Sequence, residues 1–166
     1  MRLKIVKAIS AALLLAACST KPADTGGGTS GGSTGSTTTT STVPQAAQPG
    51  SVQDFVTNIG DRVYFGTDRY DLAADAQTEL QKQATWLKTY PQYRFVIEGH
   101  CDERGTREYN LALGERRASA VKNYLVALGI DTNRMQTISY GKERPAVLGD
   151  DEAAWAQNRR GVIVLQ

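Results

Sequence analysis

The stretch FVIEGHCDERGTREYNLALGERRASAVKNYLVAL, Phe95 to Leu128, decides how the chain is read. It opens on β-branched and aromatic residues, Phe95 to Glu98, which predict a strand. A polar turn holding both signs of charge follows, Gly99 to Thr106. A helix then runs as far as Gly129, a glycine stop. Along it Leu111, Gly114, Ala118, Val121, Leu125 and Leu128 recur at steps of three and four, which makes one stripe. At about 100° per residue, Arg117 lies roughly 70° from the stripe centre and Arg116 roughly 170° away, towards solvent. Asn110 and Leu113 share the border with Arg117.

One flank of the helix therefore presents an amide, an apolar side chain and a guanidinium. The loop before it presents Asp102, Glu103 and Arg104. A carboxylate facing an arginine across a shallow groove suits a zwitterion, an ammonium and a carboxylate on one carbon. The same residues equally allow Asp102 and Arg117 to pair with each other and simply fix the loop.

Outward from that stretch, Val52 to Ile59 predicts a short helix with Val52, Phe55, Val56 and Ile59 on one face. Arg62 to Phe65 predicts a strand. Asp71 can cap a helix from Leu72 to Thr89, with Ala76, Leu80, Ala84 and Leu87 inward and Pro91 beyond its end. Arg134 to Ser139 is a third strand, and Tyr140 to Asp150 a loop. Asp151 starts a short helix to about Asn158, and Val162 to Leu165 is the last strand. The order β-α-β-α-β-α-β is an α/β (α+β) sandwich with helices on one face of the sheet.

Residues 1–17 read as a secretory signal. Arg2, Lys4 and Lys7 give the positive start, and Ala8 to Ala17 an apolar run too short to span a bilayer. Leu15-Ala16-Ala17-Cys18 resembles a bacterial lipobox, which implies lipidation at Cys18; a chance cysteine after an ordinary signal is the alternative. The resemblance implies a diacylated Cys18 that becomes the new N-terminus and is acylated on its amine, three chains where stable anchoring needs two signals. By the same resemblance, Ser19 after the cysteine favours the outer membrane, with the protein facing the periplasm. Residues 18–50, rich in Gly, Ser and Thr, have almost nothing to bury and form a tether with a reach of roughly 30 Å, or roughly 100 Å stretched. Residues 51–166 are the folded domain.

The formal charge of +2 comes from 19 Lys+Arg against 17 Asp+Glu. Without the signal's three cations the balance is 16 against 17. No basic patch argues for nucleic acid. Glu98, His100, Cys101 and Asp102 look like parts of a hydrolase, but neighbours in an extended segment point to opposite faces, so His100 does not easily reach the Cys101 thiol. His100 is expected packed at a strand end and bonded to the loop. One His and one spare Cys are too few for zinc, and the Asp102-Glu103 loop is a poor calcium site. With Cys18 committed to lipid, Cys101 has no internal disulfide partner; it is expected to be buried and inert.

The run GHCDERGTREYNLALGERRASAVKNYL, followed by YGKERPAVLGDDEAAWAQNRRGVIV, resembles the OmpA-like peptidoglycan-binding domain family. The resemblance covers about Val63 to Leu165. It implies a mixed four-stranded sheet and binding of the diaminopimelate-containing peptide of peptidoglycan without cleavage, with no cofactor. The family's binding residues carry over to Asp68 of FGTD, Asp102 of GHCD, Asn110 of YN, Arg117 of the RRA triplet and Arg160 of NRR. Leu113 is expected to line the groove. Cys101 stands where the family usually has Thr or Ala, and Thr67 where relatives often have a large apolar residue. The resemblance also implies a TolB-type periplasmic β-propeller as a second partner on an overlapping face. An enzyme acting on cell wall and an OmpA-like lipoprotein with a signalling role are the alternatives.

Overall fold

A computed structural model describes residues 47–166. The expected signal, the lipidation site at Cys18 and most of the expected tether lie outside the described residues. The elements are α1 (Val52–Asp54), continuing as a π-helical segment (Phe55–Ile59), β1 (Arg62–Tyr64), α2 (Ala74–Thr89), β2 (Phe95–His100), α3 (Arg107–Ala127), β3 (Met135–Gly141), α4 (Glu152–Asn158) and β4 (Arg160–Leu165). The sheet order is β1-β4-β2-β3, with β4 antiparallel to both neighbours and β2 parallel to β3. This is the mixed four-stranded sheet of the expectation.

α3 is the crossover between the parallel pair. It packs on β2, β3 and β4, while α2 lies beside it and against β1. Val63, Phe95, Ile97, Met135 and Ile163 face these helices and meet Leu80, Ala84, Leu87, Ala118, Val121 and Leu125. The inward face read for α2 is therefore the buried one. On the other sheet face, Tyr64, Ile138 and Val164 are exposed. α4 sits at the end of the sheet, its Trp155 against the loop after β2.

Two helix starts depart from expectation. Asp71 does not cap α2, because its carboxylate takes a fork from Arg69 at 2.7 Å on both oxygens; Ala73 occupies the cap without a side-chain bond. In the first helix only Phe55 is buried, and Val52 and Val56 are exposed. A π turn adds a residue per turn, so a face drawn at the α-helical period does not hold there. Ser51 caps α1, and Thr106 caps α3 by accepting from Tyr109 N. α3 ends at Leu128 before Gly129, whose φ of 91° ordinary residues rarely adopt.

The chain enters this body through a clamp. Asp54 Oδ2 accepts from Gly50 N and Trp86 Nε1, both at 2.9 Å. Tyr93 donates its hydroxyl to Gly50 O at 2.8 Å. Phe55 and Tyr90 flank the Trp86 ring at 4.9 and 4.6 Å between centroids.

One helix–strand contact sets the depth of everything around it. A Cβ on Gly99 of β2 would lie 1.8 Å from Gly114 O of α3, and one on Gly114 would lie 2.2 Å from Ser139 Oγ. Only glycine at both positions lets α3 approach this closely. Ser139 adds a bond across the contact, donating to Leu111 O at 2.7 Å.

Candidate functional site

The close contact lowers the first half of α3 onto the end of β2, where the loops after β1 and β2 meet it. A groove of about 210 Å³ opens there, lined by Thr67 and Asp68 after β1, Cys101, Asp102, Arg104 and Gly105 after β2, and Tyr109, Asn110, Leu113 and Arg117 of α3. Five of the six residues expected at a binding site, Asp68, Asp102, Asn110, Leu113 and Arg117, thus line one groove.

Arg117 is 0% exposed. Its Nε donates to Arg69 O at 2.8 Å, Nη1 to His100 O at 2.8 Å and Nη2 to Gly66 O at 3.1 Å. The guanidinium thus ties the β1 loop to the end of β2, with the Phe65 ring 5.2 Å below it. Among the described residues, no carboxylate lies within ion-pair distance of Arg117. Burial pulls its guanidinium below the ordinary value. Three of its five N–H groups are used on carbonyls, leaving two with no oxygen partner and the Cys101 thiol beside the guanidinium. Arg116, one residue earlier, is exposed and lies over Tyr70, as the helix angles require.

Asp102 does not pair with Arg117. Its Oδ2 meets Arg104 Nη2 at 2.6 Å and Arg159 Nη1 at 3.3 Å, while Oδ1 accepts from the backbone and Nε of Arg104, both at 3.2 Å. Burial by itself would raise this carboxyl, but the bonds from Arg104 and Arg159 outweigh it and hold it below the usual range. Asn110 gives its amide nitrogen to Arg104 O at 2.7 Å and Thr106 O at 3.1 Å, so it shapes the β2 loop. Asp68, in the left-handed region at φ 58°, accepts from the Tyr109 hydroxyl.

Arg160 is not in the groove. In β4 it pairs with Tyr64 and lies on the far sheet face, donating to Asn158 O and Arg144 O. Arg159, the C-cap of α4, is the neighbour that meets Asp102, from behind the groove: it also donates to Phe65 O at 3.1 Å and Glu152 Oε1 at 2.6 Å. The sequence offered a signal for this. Gly161 and Ile163 face the helices, and the strand period of two then sends Arg160 outward; the apolar run VIVL hides that alternation. Tyr109 and Trp155 were also missed. Trp155 carries the Arg104 guanidinium 4.1 Å above its ring and donates to Glu103 Oε1 at 3.2 Å.

Cys101 is buried and free, its thiol directed to Asn110 O at 3.3 Å, and burial pushes its pKa up. His100 lies on the open sheet face with Glu98, Tyr140, Arg144 and Arg160 around it. Its Nε2 is 3.1 Å from Glu98 Oε2, and Nδ1 is buried without a partner. Burial, then the Arg160 charge, lowers the imidazole from 6.5. The unfolded chain therefore takes up this proton at higher pH than the folded one. Stability is full above about pH 6.5 and falls as pH drops towards the folded pKa. Thermal melts between about pH 7.5 and 5 should show that slope, flattened in His100→Gln; an equal slope in the variant would assign it to another group. Among the described residues, no cluster of three or more His, Cys, Asp or Glu could hold a metal, and no helix is long and apolar enough to cross a membrane.

The OmpA family model matches residues 64–159. A peptidoglycan-associated lipoprotein of Rhizobium meliloti is 61% identical over 120 residues, covering 72% of this chain and 68% of its own. The protein of that name from Haemophilus influenzae is 47% identical over 125 residues, covering 71% and 82%. The crystal structure of the peptidoglycan-associated lipoprotein from Burkholderia pseudomallei superposes with a TM-score of 0.62 at 50% identity, over 64% of this chain and 90% of that one. The C-terminal domain of Helicobacter pylori MotB shares the fold at 20% identity, with a TM-score of 0.60 over 64% and 84%. With more than half the chain inside the family model and a relative 61% identical over 72% of it, the chain belongs to the OmpA family.

Proposed function

We propose that this protein binds peptidoglycan non-covalently, through the diaminopimelate residue of its stem peptide, and does not cut it. One observation carries the reading: Arg117 is a buried guanidinium at the floor of a groove, with two N–H groups left and no carboxylate of its own. A ligand carboxylate would supply the missing charge through paired N–H···O bonds. Asp102 and Asp68 offer acceptors for the adjoining ammonium, and Leu113 lines the wall between. The names of the relatives, peptidoglycan-associated lipoprotein, point the same way. A nucleophile is poorly supported, since the Cys101 thiol is pushed up and bonded to Asn110 O while His100 lies on the other sheet face.

On this reading lipid at Cys18 anchors the chain to the outer membrane and residues 18–50 let the domain reach the cell wall from the periplasmic side. The system would be Tol–Pal, with a TolB-type β-propeller as the second partner. Calorimetry with L-Ala-γ-D-Glu-meso-diaminopimelate and its lysine counterpart tests the core of it. The wild type should clearly prefer diaminopimelate, and less so as salt rises, since the groove is open to solvent. Asp102→Asn should weaken that peptide about tenfold, the worth of a charge-assisted bond. Equal affinity for the two peptides would remove the carboxylate-reading role, and fragments released from whole peptidoglycan would favour an enzyme.

A further inference from the structure

Asp102 is fully subscribed before any ligand arrives. A carboxylate has roughly four acceptor positions, and Arg104 fills three of them while Arg159 fills the fourth. A ligand ammonium reaches Asp102 only by displacing one of these. Arg159 is the wrong one to move: its side chain is 7% exposed and bound to Phe65, Asp102 and Glu152 at once. The Arg104 side chain is 39% exposed, lines the groove, and is otherwise held only by the face of Trp155. Glu103 and Glu152 lie within electrostatic reach of it. The released guanidinium therefore keeps a ring and two acidic neighbours to rest against.

We infer that Arg104 is a latch on the peptidoglycan-peptide groove, an internal cation that occupies the ammonium's place on Asp102 and, still resting on Trp155, turns off that carboxylate when ligand binds. The inference rests on the function proposed above. It makes Arg104 a specificity-determining residue. Any ammonium must break the Arg104–Asp102 fork. A zwitterion brings a carboxylate that, held by Arg117, also faces the freed Arg104 guanidinium across the groove, whereas a bare lysine ammonium returns nothing. Part of the selectivity then comes from rejecting the wrong peptide.

Arg104→Gln removes the latch. The two tripeptides named above are titrated into wild type and variant, with circular dichroism to verify the fold. The lysine-type peptide should bind the variant about threefold more tightly than it binds wild type, the scale of a half-exposed ion pair, and the diaminopimelate-to-lysine affinity ratio should fall. Arg104→Lys keeps a cation but not the fork; it should show the same gain in smaller measure, and it carries the test where the Gln variant does not fold. An unchanged or weakened lysine-type affinity in the folded variant overturns the latch while leaving the peptidoglycan reading intact. Wild type binding neither peptide overturns both.

Discussion

Arg117→Ala should cost this domain its fold before it costs it a ligand. The side chain is wholly buried, and its three N–H donors hold Arg69 O, His100 O and Gly66 O. Truncation leaves three carbonyls short of a partner and a cavity over Phe65. The expected loss is on the order of 3–5 kcal/mol, against a total stability of about 5–15 kcal/mol for an ordinary domain. Urea titration of both variants measures it. Arg116→Ala, exposed over Tyr70, should stay within about 0.5 kcal/mol of wild type. An Arg117→Ala domain as stable as wild type but unable to bind would show the guanidinium to be a ligand group alone. Binding experiments at this position therefore need a matched stability measurement.

Gly99→Ala is the second large effect. The added methyl carbon would sit 1.8 Å from Gly114 O, which is backbone, so relief requires lifting α3 away from β2. Overpacking of this kind costs about 3 kcal/mol or more. The same lift carries Asn110, Leu113 and Arg117 out of register with the loops, so peptide binding should fall along with the urea midpoint. Gly114→Ala meets a side-chain oxygen, Ser139 Oγ, first; Ser139→Ala should partly rescue it and should not rescue Gly99→Ala. A Gly99→Ala domain with wild-type stability and affinity would refute the close-packed contact as the determinant of groove depth.

Helical periodicity carried most of what was legible in the sequence. The α3 stripe placed Arg117 on the border of the buried face and Arg116 towards solvent, because a 21-residue helix repeats its angle often enough to fix a face; that the border guanidinium is wholly buried came from the β1 loop folding over it. Short elements gave less. A π turn spoiled the face drawn for Val52 and Val56, and a nearby Arg69 drew Asp71 away from its cap. The apolar run Val162 to Leu165 of β4 hid which of Arg159 and Arg160 pointed to Asp102. The partners of Asp102 were illegible for a different reason: three arginines compete for it, and the choice depends on Trp155, 53 positions on, holding Arg104 in place.

The clamp at residues 50–55 has a mechanical meaning. A load pulled through the N-terminal side of the chain arrives first at Gly50, Asp54 and the Trp86 cluster, whose bonds run into α2 and Tyr93 and spread the force over the helical layer. β1, next along the chain, is an edge strand joined to β4 over only three residue pairs, and peeling would break them one at a time. The loop after that strand supplies Thr67 and Asp68 to one wall of the groove. The clamp would act as a strain relief, meeting tension upstream of β1 before it reaches that loop.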